Sequence, residues 1–265
     1  MDQVPNTDQV PNIDQAPNTD QRQNTEQTRG ADQITQQQPV GELTNFTGVT
    51  PPEPTELNGT QVILRPIDPD TDAEGLYRVS HPPAGDPTIW TYLYDGPYPD
   101  LESFRRGLEG QRERRDQLFL TVTDRATGKP LGIVSYLSIV PEHGVIEIGN
   151  IWFSPELKRT RAATETIFLL ARHAFDDLRY RRLEWKCNAL NQPSRDAAIR
   201  FGFHFEGIFL NHRVVKGRNR DTAWFAITDE RWPQVRAAFE RWLAPENFDA
   251  NGDQRSRLRD LTAAT

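Results

Sequence analysis

The 265-residue chain has one cysteine and one methionine, and it contains no long apolar run. A lone thiol, Cys187, forms no internal disulfide, which suits a reducing compartment. The longest helical apolar segment, around 167–174, is interrupted by Arg172 and His173 and falls well short of the roughly 20 apolar residues that a membrane span needs. The chain opens on Asp, Gln, Asn, Thr and Pro rather than on the apolar core of a secretory leader. Together these absences point to a soluble cytoplasmic protein with no membrane partner. No Cys/His spacing of metal-ligand type occurs, and neither a Gly-x-Ser-x-Gly nor a Walker pattern is present, so no metal is expected and phosphoryl transfer is set aside.

Aromatic residues are almost missing from the start: Phe46 is the only one in the first 56 residues, whereas all six tryptophans lie between Trp90 and Trp242. That opening segment also holds nine acids and two bases, which accounts for the whole net charge of −7. The remaining 29 bases and 29 acids cancel, so the folded part offers no net field to nucleic acid. Asp2, Asp8, Asp14 and Asp20 each begin a six-residue unit Asp-Gln-x-x-Asn-x. A stacked β-helix requires an aliphatic residue at one fixed position of each turn, yet the best position reads Val4, Val10, Ala16, Arg22, Thr28, Ile34. Residues 1–56 therefore read as a disordered acidic tail, 57–245 as the folded domain, and 246–265 as a polar C-terminal tail.

From residue 57 strand and helix signals alternate. Strands are expected at 61–66, 118–123, 131–139, 145–153, 183–188, 203–210 and 222–227, with Thr127-Gly128-Lys129-Pro130 closing a hairpin. Helices are expected at 71–80, from 100 to about 115, around 167–178, at 194 onward, and at 229–243. The aromatic segment 89–98 reads as a loop or broken helix. Ile167, Leu170, Ala171, Ala174, Phe175 and Leu178 recur at helical spacing and should lay one face on a sheet. The order describes an α/β mixed sheet of about seven strands with helices on both faces.

The densest signal is Asn191-Gln-Pro-Ser194-Arg-Asp-Ala-Ala-Ile-Arg-Phe-Gly202-Phe203, followed by Glu206-Gly207. It reads as a strand end, a short helix and a glycine-marked return to a strand. The segment resembles the Asn-x-x-Ser…Gly-Phe…Glu-Gly stretch of the Gcn5-related N-acetyltransferases (GNAT), in particular their RimJ/RimL-like branch. The resemblance implies the GNAT acyl-CoA N-acyltransferase fold, acetyl-CoA as co-substrate, and direct acetyl transfer to a primary amine on a small molecule or a protein N-terminus, by a monomer or homodimer. A non-catalytic acyl-CoA sensor or scaffold is the alternative.

Lys158, Arg159, Thr160, Arg161, Ala162, Ala163 and Thr164 open the strongly periodic helix, where free backbone N–H groups and the helix dipole suit a pyrophosphate. They resemble the family's phosphate loop, with Arg161 standing at its first glycine. The resemblance adds backbone donors near Ile151, Trp152 and Phe153 for the acetyl carbonyl, Asn191 on the pantetheine arm, and Ser194 as the acid that protonates the leaving thiolate. Asn191 is equally a good helix N-cap. Glu147, inside a strand, is the chosen base, with an ion pair to an arginine such as Arg65 as its structural alternative. His143 and His204 are weaker candidates. Trp90, Tyr92, Tyr94, His212 and Arg213 are expected around the acceptor, with the aromatics alternatively plain core.

Overall fold

A computed structural model describes residues 40–263; the hexapeptide repeats lie outside the described residues. Contacts divide the chain at residue 46, and everything below concerns the unit that begins at Thr47. Its elements are β1 (Leu57–Asn58), β2 (Val62–Pro66), α1 (Pro69–Ser80), α2 (Leu101–Arg112), β3 (Leu118–Asp124), β4 (Pro130–Val140), β5 (Val145–Phe153), α3 (Arg161–Arg172), β6 (Arg182–Asn188), α4 (Gln192–Arg200), β7 (His204–Val215), β8 (Arg218–Thr228), α5 (Trp232–Leu243) and α6 (Leu258–Ala263). The mixed α/β sheet has eight strands, not about seven, because two-residue β1 carries too short a pattern to read. Its order is β1-β2-β3-β4-β5-β6-β8-β7. Every neighbouring pair is antiparallel except β5 and β6.

Side chains from adjacent positions of one strand enter two different cores, as a sheet covered on both faces requires. Phe119 and Ile133 join Leu76, Phe104 and Leu108 under α1 and α2, whereas Leu120 and Val134 join the larger core with α3, α4 and α5. The periodic stripe predicted for α3 does lie on the sheet: Ile167, Leu170, Ala171 and Ala174 are all at most 1% exposed. The far side of the helix is buried too, since Phe168 stacks on Phe239 of α5 at 5.4 Å. A single stripe could not announce that second contact. After α3 one wide turn at His173–Asp177 carries the chain to Tyr180, also buried.

Two buried carboxylates fasten helices to strands. Asp72 of α1, fully buried, accepts from the Asp68 amide (2.9 Å), from Thr121 Oγ1 (2.6 Å) and from both terminal nitrogens of Arg65. Arg65 is thus committed to Asp72 and is not the partner of Glu147. Glu165 of α3 accepts from the amides of Thr60 (2.7 Å), Gln61 (2.7 Å) and Val62 (3.1 Å) and from Thr60 Oγ1 (2.6 Å). A Cβ on Gly59 would stand 2.5 Å from that carboxylate, so only glycine admits the approach.

The folded unit exceeds the expected limits at both ends. Residues 47–56 belong to it: the Val49 amide donates to Pro141 O at 3.1 Å, and the Tyr180 hydroxyl to Thr50 O at 3.3 Å. Beyond residue 245 the chain is packed rather than a free polar tail, with Leu258 and Thr262 each 1% exposed and Trp242 Nε1 donating to Gln254 Oε1 at 2.8 Å. Strands β7 and β8 also run beyond the expected limits of 210 and 222, to Val215 and from Arg218. They reverse only at Lys216-Gly217, where both φ angles are positive (49° and 71°), the requirement of a tight two-residue hairpin.

Glu165→Ala should cost about 3 kcal/mol of stability, because several amides lose a charged acceptor in a buried site. Glu165→Gln, which keeps one carbonyl oxygen, should cost less. Urea denaturation of the two variants beside wild type measures the order; equal stability of all three would contradict it.

Candidate active site

The parallel pairing of β5 with β6 covers only three positions and ends at Glu147 opposite Glu184. Beyond it the strands part, and β6 is paired on its other edge by β8 through Asn188. The parting opens a cleft of about 1410 Å³, floored by β5 from Glu147 to Phe153 and bounded by the start of α3 and by α4. Within that stretch β5 carries a bulge: the four residues from Gly149 to Trp152 face the three from Ser135 to Ile133. Asn150 turns it with a φ of 50°, a conformation Asn tolerates better than most. Its side-chain amide is pinned by Gln117 Oε1 (2.8 Å) and Ser135 Oγ (2.9 Å). Ile151, Trp152 and Phe153 follow on the open edge, all lining the cleft.

At one end of the cleft stands the N-terminus of α3. Thr160 caps it, its hydroxyl accepting from the Ala163 amide at 3.1 Å, which leaves the first-turn N–H groups of Arg161 and Ala162 without a helical acceptor. The left-handed residue of this loop is Arg159 (φ 63°), not Arg161 at the glycine position. Arg161 is an ordinary first helical residue whose guanidinium leaves the loop, donating to Leu243 O at 2.8 Å and stacking 4.0 Å over Phe248. The conformational freedom of a glycine is therefore not needed at position 161, and the Arg161 cation is spent away from the loop. Lys158 pairs with Asp86 at 2.9 Å. Thr164 is held by Arg200, whose Nη1 and Nη2 both donate to its Oγ1 at 3.1 Å. Two free amides, a helix dipole and exposed Arg159 fit a pyrophosphate.

Asn191 does cap α4, its Oδ1 accepting from the Ser194 amide at 3.3 Å. Ser194 faces inward: its Oγ accepts from Trp185 Nε1 at 3.0 Å, which leaves its own proton to donate. Cys187 is beside it, a thiol raised by burial although Ser194, Arg220 and Arg195 pull the other way. It stays protonated near neutrality and is a poor nucleophile.

Glu147 is 5% exposed. Its Oε2 accepts from Ser138 Oγ (2.7 Å) and from Lys186 Nζ (2.8 Å), while its Oε1 takes no hydrogen bond among the described residues. The ion pair foreseen for it exists with a different cation. Lys186 also pairs with Glu184 at 2.7 Å, which in turn accepts from Arg182 at 2.8 Å. Burial raises the Glu147 pKa above its ordinary value, with Lys186 and Ser138 opposing.

The acceptor residues divide. Trp90 is 4% exposed and turned into the smaller core, its ring against Trp152, Tyr98 and Phe104 and its Nε1 on Ser80 O; it does not line the cleft. Tyr92, Tyr94, His212 and Arg213 do line the cleft. His212 Nδ1 lies 3.0 Å from Thr222 Oγ1, and desolvation together with Arg213, Arg220 and Lys186 lowers its pKa. His143 sits in a surface turn and His204 at an exposed strand start, both away from the cleft. Missed from sequence were Trp185, Lys186, Arg200 and Trp224. Only the two-residue spacing of Arg220, Thr222 and Trp224 along one strand face carried a signal.

Residues 61–204 match the family model of the GNAT acetyltransferase domain. A GCN5-related N-acetyltransferase from Brucella melitensis is similar at 42% identity and TM-score 0.80, covering 83% of this chain and 100% of that one. A probable GNAT-family acetyltransferase from Chromobacterium violaceum is 38% identical at TM-score 0.68, covering 74% and 97%. An uncharacterized N-acetyltransferase p20 from Bacillus licheniformis is 26% identical over 155 residues, 54% of this chain and 81% of that one. The RimL ribosomal L7/L12 α-N-protein acetyltransferase, at 20% identity, shares the fold (TM-score 0.57; 68% and 99% covered).

A carboxyl whose native pKa exceeds its unfolded value stabilises fully below the ordinary range, and that contribution fades as pH rises through the native value. The stability of wild type relative to Glu147→Gln should therefore fall across that interval. Urea midpoints measured along a pH series would show this slope; a flat difference would contradict it.

Proposed function

The chain belongs to the GNAT acetyltransferase family and is an N-acetyltransferase; on that basis we propose that it carries acetyl from acetyl-CoA directly to a primary amine of a small molecule or a protein N-terminus. The observation that carries this reading is the parting of β5 from β6 beside the Thr160-capped N-terminus of α3. When bound, acetyl-CoA supplies an acyl group on a thiol whose ordinary pKa is about 8.5. The first-turn amides of Arg161 and Ala162, with Arg159, hold its pyrophosphate, and Asn191 borders the arm.

The amine attacks as the free base. Glu147, held by Lys186 and Ser138 through one oxygen, has Oε1 available to take the amine proton, directly or through water. Amides of the open β5 edge near Ile151–Phe153 donate to the carbonyl oxygen as it gains charge. Ser194, fixed by the Trp185 indole, delivers its proton to sulfur. The inert Cys187 supports transfer without an acyl-enzyme. Kinship to the RimJ/RimL-like branch is supported by Asn191 and Ser194 at the mouth of α4. Among the described residues no helix is long and apolar enough to cross a membrane, and no cluster of three or more metal-ligating side chains occurs.

Titration calorimetry with acetyl-CoA followed by thiol release against a panel of amines tests the proposal. Tight binding with no turnover on any amine would favour an acyl-CoA sensor instead. Ser194→Ala should lower kcat by about 10²-fold with little change in acetyl-CoA affinity; wild-type turnover would remove the serine from the mechanism. Glu147→Gln should move the rate profile toward higher pH, and an unaltered profile with reduced stability would leave the carboxylate a structural role.

A further inference from the structure

Arg220 is 7% exposed, yet its guanidinium makes no hydrogen bond or ion pair among the described residues. Its Nε and Nη1 are buried without partners, and so is Nε1 of Trp224, four residues along the same face of β8. Both side chains line the cleft. The guanidinium lies over the Tyr94 ring, 4.9 Å from its centroid, a contact that satisfies none of its N–H donors. Directly across the strand pair stands Arg213, a second cation. Glu147, on the floor of the cleft, is already paired with Lys186. A buried charge left without partner costs several kcal/mol, and unpaired buried donors are rare in folded proteins. We propose that Arg220, with Trp224 Nε1, is the subsite for a carboxylate carried by the acceptor, so that the amine substrate is a compact amino carboxylate.

A guanidinium edge meets both oxygens of a carboxylate in one plane through two parallel N–H donors. Compactness follows from the roof of the cleft. Segment 86–98 is tied down at three points: Asp86 to Lys158, the Tyr92 hydroxyl to Leu190 O at 3.3 Å, and Lys216 Nζ to Trp90 O and Asp95 O at 2.8 and 2.9 Å. A roof lashed to α3's loop, to the β6–α4 turn and to the β7–β8 hairpin leaves room for a small molecule and obstructs a protein surface. The inference rests on the acetyl-transfer reading and narrows its acceptor.

Products of such acceptors serve as probes that need no turnover. The full chain is titrated calorimetrically with N-acetyl-amino acids bearing small, branched, aromatic and acidic side chains, each beside its carboxamide. At least one free acid should bind about tenfold or more tighter than its own amide. Arg220→Met should abolish that difference, Arg220→Lys should keep part of it, and acetyl-CoA affinity should stay within about twofold in both; if the methionine variant fails to fold, Arg220→Gln replaces it. Equal binding of acids and amides throughout, discrimination that survives loss of the arginine, loss of acetyl-CoA affinity instead, or preference for O-phosphoethanolamine would each overturn the proposal. Absence of acetyl transfer with acid-selective binding intact would instead count against the catalytic reading alone.

Discussion

Lys186, held between Glu147 and Glu184, marks the point on which the site depends. Two carboxylates face each other at the last register pair of β5 and β6, an arrangement that repels itself unless a cation lies between them. One ammonium at 2.8 and 2.7 Å provides it. Short of that pair the two strands form a sheet; past it they diverge, and the surface released becomes a binding cleft. The same lysine lies 4.2 Å over the Trp224 ring, so the junction also orders the wall on which Arg220 stands.

The rest of the fold keeps that divergence rigid. The bulge at Asn150 is pinned from β4 and from the residue preceding β3, α3 is anchored through Glu165 to the turn before β2, and α5 seals its outer face. Arg161 shows how a departure from a family pattern is absorbed. Because the residue is drawn off to the carbonyl end of α5, where a cation is welcome, the phosphate loop loses a glycine without losing its open amides. Its left-handed turn is made two residues earlier, at Arg159.

Much of the architecture was legible because each element carries a local period. The stripe from Ile167 to Leu178, the strand from 145 to 153 and the Asp124–Lys129 hairpin all follow from spacing and turn chemistry. The capping of α4 by Asn191 and the inward turn of Ser194 were readable for the same reason, since both act within one helical turn. Trp90 was misplaced because an aromatic before a helix has the same pattern whether it faces a core or a cleft. Glu147 was rightly suspected of needing a partner, but its cation comes from a strand 39 positions away, and nothing local distinguishes Lys186 from Arg65. The C-terminal segment reads as polar since its few apolar residues, Phe248, Leu258 and Leu261, follow no period.

By itself the sequence determined the order of strands and helices, the poverty of the first residues in core-forming side chains, and the chemistry at the mouth of α4, because these rest on interactions between residues close along the chain. Only the tertiary structure decided where β5 leaves β6, which cation faces which carboxylate, and that Arg220 is buried with its donors free. Those facts depend on strand register and on side chains meeting across the sheet, and the energy of such a meeting leaves no mark on the spacing of either partner.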